Sequence, residues 1–227
     1  MKNRKSFFGM IAIVAIMAFG FIACDLDNND TGVTAGVERL RWSSEWNWGS
    51  GHVVTIWGLT EGIPVNILNI PAEIDGVPVA FIAQDAFADS QLTSVTIPNS
   101  VISIGPRAFR NNQLTSVTIG NNVTTIGSRA FDINQLTSVT IPNSVTTIGA
   151  GAFARNQLTS VIIPNSVTYI GGGFSRVSGS SGVNEIHGAF HRNRLTSVII
   201  PDSVTTIGDS AFHSNQLTNV NKLRIKN

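Results

Sequence analysis

The side chains in this sequence that could coordinate or transfer anything are few, and their spacing decides what they can do. Of the four histidines, His191 and His213 fall at one position of two neighbouring repeats, and His187 lies close to them in the chain. Three imidazoles can hold zinc when a fourth ligand and supporting hydrogen bonds complete the set. Neither is visible, and Arg110 and Asp132 occupy the same repeat position elsewhere. The position therefore reads as variable and exposed, and neither a metal nor a cofactor is expected. No spacing of Ser, His and carboxylate sets up a nucleophile, and no pair of acids marks a cleft. The chemistry to expect is binding; an enzyme is not expected.

Net charge is +1, so there is no electrostatic footprint for nucleic acid, which is excluded as a partner. That average hides a division at the amino end. Lys2, Arg4 and Lys5 precede the apolar run Phe7 to Cys24, "FFGMIAIVAIMAFGFIAC". A basic start, a short apolar stretch and small residues at its end describe an export signal over residues 1–23. Cys24 is the single cysteine, which leaves no disulfide to form within the chain. Phe21-Ile22-Ala23-Cys24 resembles the lipobox of bacterial lipoproteins, although the first position there is usually Leu. The resemblance implies that Cys24 is lipidated, becomes the new amino terminus and ties the protein to a membrane. Residues 24–36, including "DLDNNDTGVTAG", are polar and rich in turn formers, and read as a flexible tether. In many double-membraned bacteria an Asp after the lipidated Cys, here Asp25, disfavours transport to the outer membrane.

The elements that would position any binding surface come from a repeated line. Leu92, Leu114, Leu136, Leu158, Leu195 and Leu217 each open a version of "LTSVTIPNSVTTIGAGAFARNQ". Within the unit the apolar positions are the first, fourth, sixth, tenth, thirteenth and eighteenth, as in Leu136, Val139, Ile141, Val145, Ile148 and Phe153. Val139 and Ile141 alternate with Ser138 and Thr140, which is strand spacing. Pro98, Pro142, Pro164 and Pro201 end that strand by removing a donor. "SVTTIG" gives a second short extended piece, and "AGAFARNQ" has room for one helical turn. One unit buries about six large side chains at roughly 2 kcal/mol each, against about 1–2 kcal/mol of backbone entropy for every residue it orders. Units must therefore stack to fold, joined by parallel strands about 4.7–4.9 Å apart.

With its shared spacing, Pro, Gly and Ala-Phe pair, the line resembles the BspA-like leucine-rich repeat (LRR_5 type) of bacterial surface proteins. The expected fold is a β-rich solenoid of about seven coils, with a parallel sheet on one face and short extended or helical-turn segments on the other. The repeats are expected over 65–220, preceded by an N-terminal cap at 37–64 and followed by an edge strand at 221–227. "VNILNIPAEIDGVPVAFIAQDAFADSQ", from Val65, reads as a degenerate first copy with five extra residues after Pro71. The family commonly carries Cys near the end of each unit; here Asn112, Asn134, Asn156, Asn193 and Asn215 stand instead. Stacked at one position, their amides form a structural ladder that satisfies loop carbonyls and N–H groups.

Three candidate binding surfaces follow. Ser94, Thr96, Ser116, Thr118, Ser138, Thr140, Ser160 and Ser197 line one side of the strand face, with Ile162 and Ile199 replacing Thr in later coils. Leucine-rich repeats usually bind through this sheet, yet short hydroxylated side chains also simply solvate a β-surface. Between Ile170 and Ala189 the unit gains fifteen residues within "GGGFSRVSGSSGVNEIHG", a Gly/Ser-rich insertion loop over 172–188 that is a binding element or a neutral excursion. Trp42, Trp46 and Trp48 share parity, hence one face of an extended segment, either as a cap or as an aromatic platform for sugars. Lys222, Arg224 and Lys226 alternate with Leu223 and Ile225, which suits a final strand whose charges discourage further pairing.

The resemblance implies a surface lipoprotein that binds host or neighbouring-cell proteins, because BspA-like proteins include adhesins for extracellular-matrix and plasma proteins. The alternatives are binding of glycan or envelope polymer, and a structural role in the periplasm. Expected partners are the membrane through an N-terminal lipid, extracellular-matrix or other cell-surface proteins, and glycans. The expected location is the cell surface or outer membrane, with the periplasmic face as the alternative.

Overall fold

The computed structural model describes residues 40–47, 51–60, 65–173 and 188–222. The export signal, Cys24, the tether, Trp48, His187 and most of the insertion loop lie outside the described residues. Among the described residues fourteen strands run in chain order: β1 (Leu40–Asn47), β2 (Gly51–Leu59), β3 (Ile67–Asn69), β4 (Glu73–Ile74), β5 (Val77–Ile82), β6 (Ser94–Thr96) and β7 (Ser103–Ile104), then β8 (Ser116–Thr118), β9 (Thr125–Ile126), β10 (Thr147–Ile148), β11 (Tyr169–Ile170), β12 (Ser197–Ile200), β13 (Thr206–Ile207) and β14 (Asn219–Lys222). There is no helix among the described residues. The chain is a β-solenoid in which each coil hydrogen-bonds to its counterparts before and after it.

The difference from expectation is which ladder runs unbroken. The "TTI" pieces make the long one, in the order β1-β2-β5-β7-β9-β10-β11-β13. Its register keeps Ile82, Ile104, Ile126, Ile148, Ile170 and Ile207 in one column. The "SVT" pieces form a three-stranded group, β3-β6-β8, and a separate pair, β12-β14. Between them Ile162 makes only an isolated bridge to Ile199. The Gly that follows each "TTI" explains the bias: a Cβ on Gly149 would lie 2.5 Å from the Ser128 backbone nitrogen. Only without that carbon can the coils close to ladder distance there.

The interior is a set of columns. Phe87, Phe109, Phe131, Phe153, Phe190 and Phe212 stack ring on ring with centroids 5.2–5.5 Å apart and planes within 11°. Leu92, Leu114, Leu136, Leu158 and Leu195 form a second, fully buried column. Along the Phe column the chain turns through left-handed conformations at two recurrent positions: Asp85, Arg107, Arg129, Gly151 and Ser210 before the Ala-Phe pair, and Asp89, Asn111, Ile133, Arg155, Arg192 and Ser214 after it. These tight turns occupy the stretch where a helical turn was expected.

Two departures from the unit are absorbed locally. The extra residues after Pro71 fold into the antiparallel β4–β5 pair, whose turn places Asp75 and Gly76 at φ 52° and 75°. At the insertion, the Ala189 N–H donates to the Gly171 carbonyl at 2.9 Å, as Ala152 does to Gly149 at 3.1 Å. The coil thus closes between Gly171 and Ala189 with the bond made where no residues are inserted.

Candidate functional site

The repeat's polar residues divide into those consumed by the fold and those left facing outward. Asn156 shows the first kind. Its Oδ1 accepts the Leu136 N–H at 3.0 Å, while its Nδ2 donates to the Phe131, Phe153 and Ala154 carbonyls at 2.9, 3.2 and 3.2 Å. Asn112, Asn134 and Asn193 repeat this arrangement in the buried interior, and Asn215 repeats it half-buried. One side chain so bridges two coils, giving the Leu136 N–H its acceptor and sharing the Phe131 carbonyl with Asn134 and the Ala154 carbonyl with the Ile133 N–H. Asn156→Ala should lower unfolding free energy by about 2–3 kcal/mol, the cost of stranding buried polar groups, read from urea denaturation. A loss below about 0.5 kcal/mol would remove the ladder from the fold's determinants.

Hydroxyls are divided the same way. Thr124, Thr146, Thr168 and Thr205 each donate to the carbonyl of the preceding coil at 3.1–3.3 Å. Ser144 and Ser166 do so at 2.6 and 2.7 Å. On the "SVT" face, Ser116 donates to Ser94 at 3.1 Å. Ser116, Ser138, Ser160 and Ser197 are exposed, as are Thr96, Thr118 and Thr140, while Ser94 is half-buried. Register places Thr96 beside Thr118 and Ile162 beside Ile199. Ile162 is 77% exposed and Ile199 47%, so after the Thr positions the face carries an aliphatic pair that the interior does not use, with Asn221 next in register.

The turn carrying Asp132 corrects one reading of the sequence. That position was expected to be exposed; Asp132 is wholly buried and His191 nearly so. Arg155 reaches back from the next coil and donates to both Asp132 oxygens at 2.9 and 2.6 Å, with Arg110 at 3.7 Å. His191 and His213 stack with centroids 5.4 Å apart and planes within 8°. No group of three or more His, Cys, Asp or Glu among the described residues could hold a metal ion. Near the start of the repeats, Arg107 grips Asp85 through two bonds of 2.6 and 2.7 Å. The hydrogen bond from Arg107 holds the Asp85 carboxyl below its usual range. A lowered carboxylate contributes stability above its unfolded-state value and loses it as pH falls towards and through the folded one. Both side chains are about two-fifths exposed, so solvent keeps that contribution small.

The tryptophans separate by face. Trp42 is half-buried and packs against the core, which sets it inward; the side chains of Trp46 and Trp48 are outside the description. Trp57, on β2, is 51% exposed, its indole N–H donating to the Ser43 hydroxyl at 2.8 Å.

The family model for the BspA type leucine-rich repeat region matches residues 70–176 and 186–225, in six copies. The chain belongs to this family. Among solved structures, the T. pallidum leucine-rich repeat protein TpLRR is similar with a TM-score of 0.64 at 22% identity, over 84% of this chain and 82% of its own. A leucine-rich repeat protein from Bacteroides ovatus ATCC 8483 has a TM-score of 0.58 at 22% identity, over 83% of this chain and 53% of its own. Both likenesses are of fold. No curated protein matches the sequence.

As a BspA-type repeat, the chain is a module of a kind that generally binds proteins, and its geometry allocates the surfaces. The Asn column and the hydroxyls bonded to carbonyls hold coils together. Among the described residues, the "SVT" face with Ile162 and Ile199, together with Trp57 and Tyr169, is left facing outward. Trp57 was not singled out by sequence reasoning, because parity groups Trp42, Trp46 and Trp48 and cannot say which face looks inward.

Proposed function

We propose that this protein is an exported, lipid-anchored BspA-type repeat module that binds host or neighbouring-cell proteins at the bacterial surface. The observation that supports it most is the aliphatic pair Ile162 and Ile199, exposed on a sheet face where the three preceding coils carry Thr96, Thr118 and Thr140 at that position. An outward Ile costs solvation and gains nothing from the core, whereas a desolvated aliphatic anchor ringed by small polar groups is how protein interfaces concentrate affinity. The face carries no charge, which suits a protein contact better than an anionic polymer. Anchoring rests on Lys2, Arg4, Lys5, the apolar run and Cys24.

Two measurements test this. Protease added to intact cells should cleave the protein as readily as in lysed cells; protection until lysis would remove the surface role and leave a periplasmic one. Against a panel of extracellular-matrix and plasma proteins, the Ile162→Thr/Ile199→Thr variant should bind at least roughly tenfold more weakly, as loss of an interface anchor requires, with its melting temperature unchanged. Equal binding would take the face out of the reading. Competition by free sugars, together with loss on Trp57→Ala, would replace it by glycan binding.

A further inference from the structure

The coil that carries Ile199 departs from the repeat at a second exposed position. Gln91, Gln113, Gln135, Gln157 and Gln216 stand just ahead of the column leucines, and in this coil Arg194 stands there. The backbone does not account for the change. The Arg194 N–H donates to the Leu158 carbonyl at 2.9 Å, just as the Gln113, Gln135, Gln157 and Gln216 N–H groups donate one coil back at 2.8–2.9 Å. Arg194 thus sits in the glutamine site with its backbone unaltered, and what it adds is a charge. It is exposed, and among the described residues its guanidinium makes no ion pair. Arg192 and Asp202 nearby in the chain are exposed as well, but each is already engaged. The charge that the fold leaves unused beside the aliphatic pair is that of Arg194.

One partner segment can reach both features. Arg194 and Ile199 are separated by at most about 18 Å of extended chain. The bond to Leu158 sets Arg194 against the coil that carries Ile162, and register sets Ile162 beside Ile199. Two aliphatic side chains and one cation therefore gather on two adjacent coils. On either side of them the same two places are neutral and polar, with Gln135 and Thr140 before, Gln216 and Asn221 after.

We propose that the segment covering Ile162 and Ile199 also presents a carboxylate to Arg194, so that the "SVT" face selects acidic, aliphatic peptide segments. The inference rests on the protein-binding reading of that face and names the chemistry of what it holds. Charge complementarity favours this occupant. A guanidinium takes a carboxylate through two parallel hydrogen bonds. At the rim of an interface such a charge governs the choice of partner more than the strength of binding. A polyanion is matched by repeated positive charge, which one arginine beside two isoleucines does not supply.

Binding of the full chain to three sets of synthetic peptides tests it. Each set has a central Leu-Ile pair, flanked by Glu in one, by Gln in the second and by Lys in the third. The parent should bind the Glu set roughly twofold to fivefold more tightly than the Gln set, the range of an exposed ion pair. The Lys set should bind more weakly than either, and added salt should narrow the differences. Arg194→Gln, which restores the residue of the other coils, should bring the Glu and Gln sets level without weakening the Gln set. Arg194→Glu should reverse the order in favour of Lys. Ile162→Thr/Ile199→Thr should weaken all three sets alike, which reports on the face apart from the charge. A parent that binds the sets equally would overturn the proposal and leave the protein-binding reading standing, as would a Glu preference that survives Arg194→Gln. Failure to bind any set would also overturn it, and the matrix and plasma proteins would then decide the role of the face.

Discussion

Gly149→Ala should cost about 3 kcal/mol or more, a large fraction of a domain's stability. The added carbon would sit 2.5 Å from the Ser128 nitrogen and 2.7 Å from the Gly127 carbonyl carbon. Both are backbone atoms of the neighbouring coil, so no side chain can swing away and the coils themselves must part. Parting them stretches the Gly149 N–H bond to the Ile126 carbonyl, 2.8 Å long, and loosens the adjacent β9–β10 ladder. A solenoid's stability is close to a sum of unit and neighbour-interface terms, so weakening a central interface divides the stack. Gly76→Ala is the control. Gly76 has φ +75° but nothing within 4 Å of a new Cβ, and only the left-handed conformation opposes Ala, at about 1–2 kcal/mol. Urea unfolding followed by circular dichroism compares the two. If Gly149→Ala fell no further than Gly76→Ala, coil spacing at the "TTIG" ladder would not be a limiting constraint.

The same glycine shows why the columns were legible in the sequence while the sheet's continuity was not. Leu136, Val145, Ile148 and Phe153 recur at fixed intervals, and a period is enough to place side chains inside. Continuity depends on how closely backbones approach, which β-propensity does not measure. "SVT" and "TTI" look equally strand-like, yet the closer approach lies beside Gly149 and its counterparts. The turns were less legible still. Left-handed residues are ordinarily announced by Gly or Asn, but here Arg107, Arg155 and the β-branched Ile133 hold those conformations because the stacked coils over-determine them. Asp132 was misjudged for a related reason. Its position accepts Arg, Asp, Ala and His in different coils, and such variety ordinarily marks a surface. The partner that permits burial, Arg155, lies 23 residues ahead on the next coil, beyond any local pattern. The Asn column, by contrast, was readable from identity and spacing alone, since an amide at a constant position in stacked turns has few uses other than bonding backbone. On the candidate binding face the sequence showed that Ile162 and Ile199 replace Thr, and the structure adds that both point outward.

Arg155→Met should destabilise by about 3–5 kcal/mol, and Asp132→Ala by distinctly less. Both remove the same pair of hydrogen bonds, so a view that credits the contact with a fixed energy would expect equal losses. What differs is the group left behind. Met keeps the aliphatic stem of Arg155 but leaves the Asp132 carboxylate wholly buried with Arg110 at 3.7 Å as its remaining cation. Ala at 132 instead leaves the side chain of Arg155, 29% exposed, free to turn its guanidinium to water. Alanine also fits the site sterically, since Ala154 occupies it in the next coil. The double variant Asp132→Ala/Arg155→Met should therefore be more stable than Arg155→Met alone, which is the signature of an orphaned charge rather than of a lost bond. Arg107→Ala, breaking a pair of similar length at the surface, should change stability by no more than about 0.5 kcal/mol. Denaturant unfolding of the four variants orders them. If Arg155→Met and Asp132→Ala proved equally costly, the burial of Asp132 would not be what makes the Arg155 pair matter to the fold.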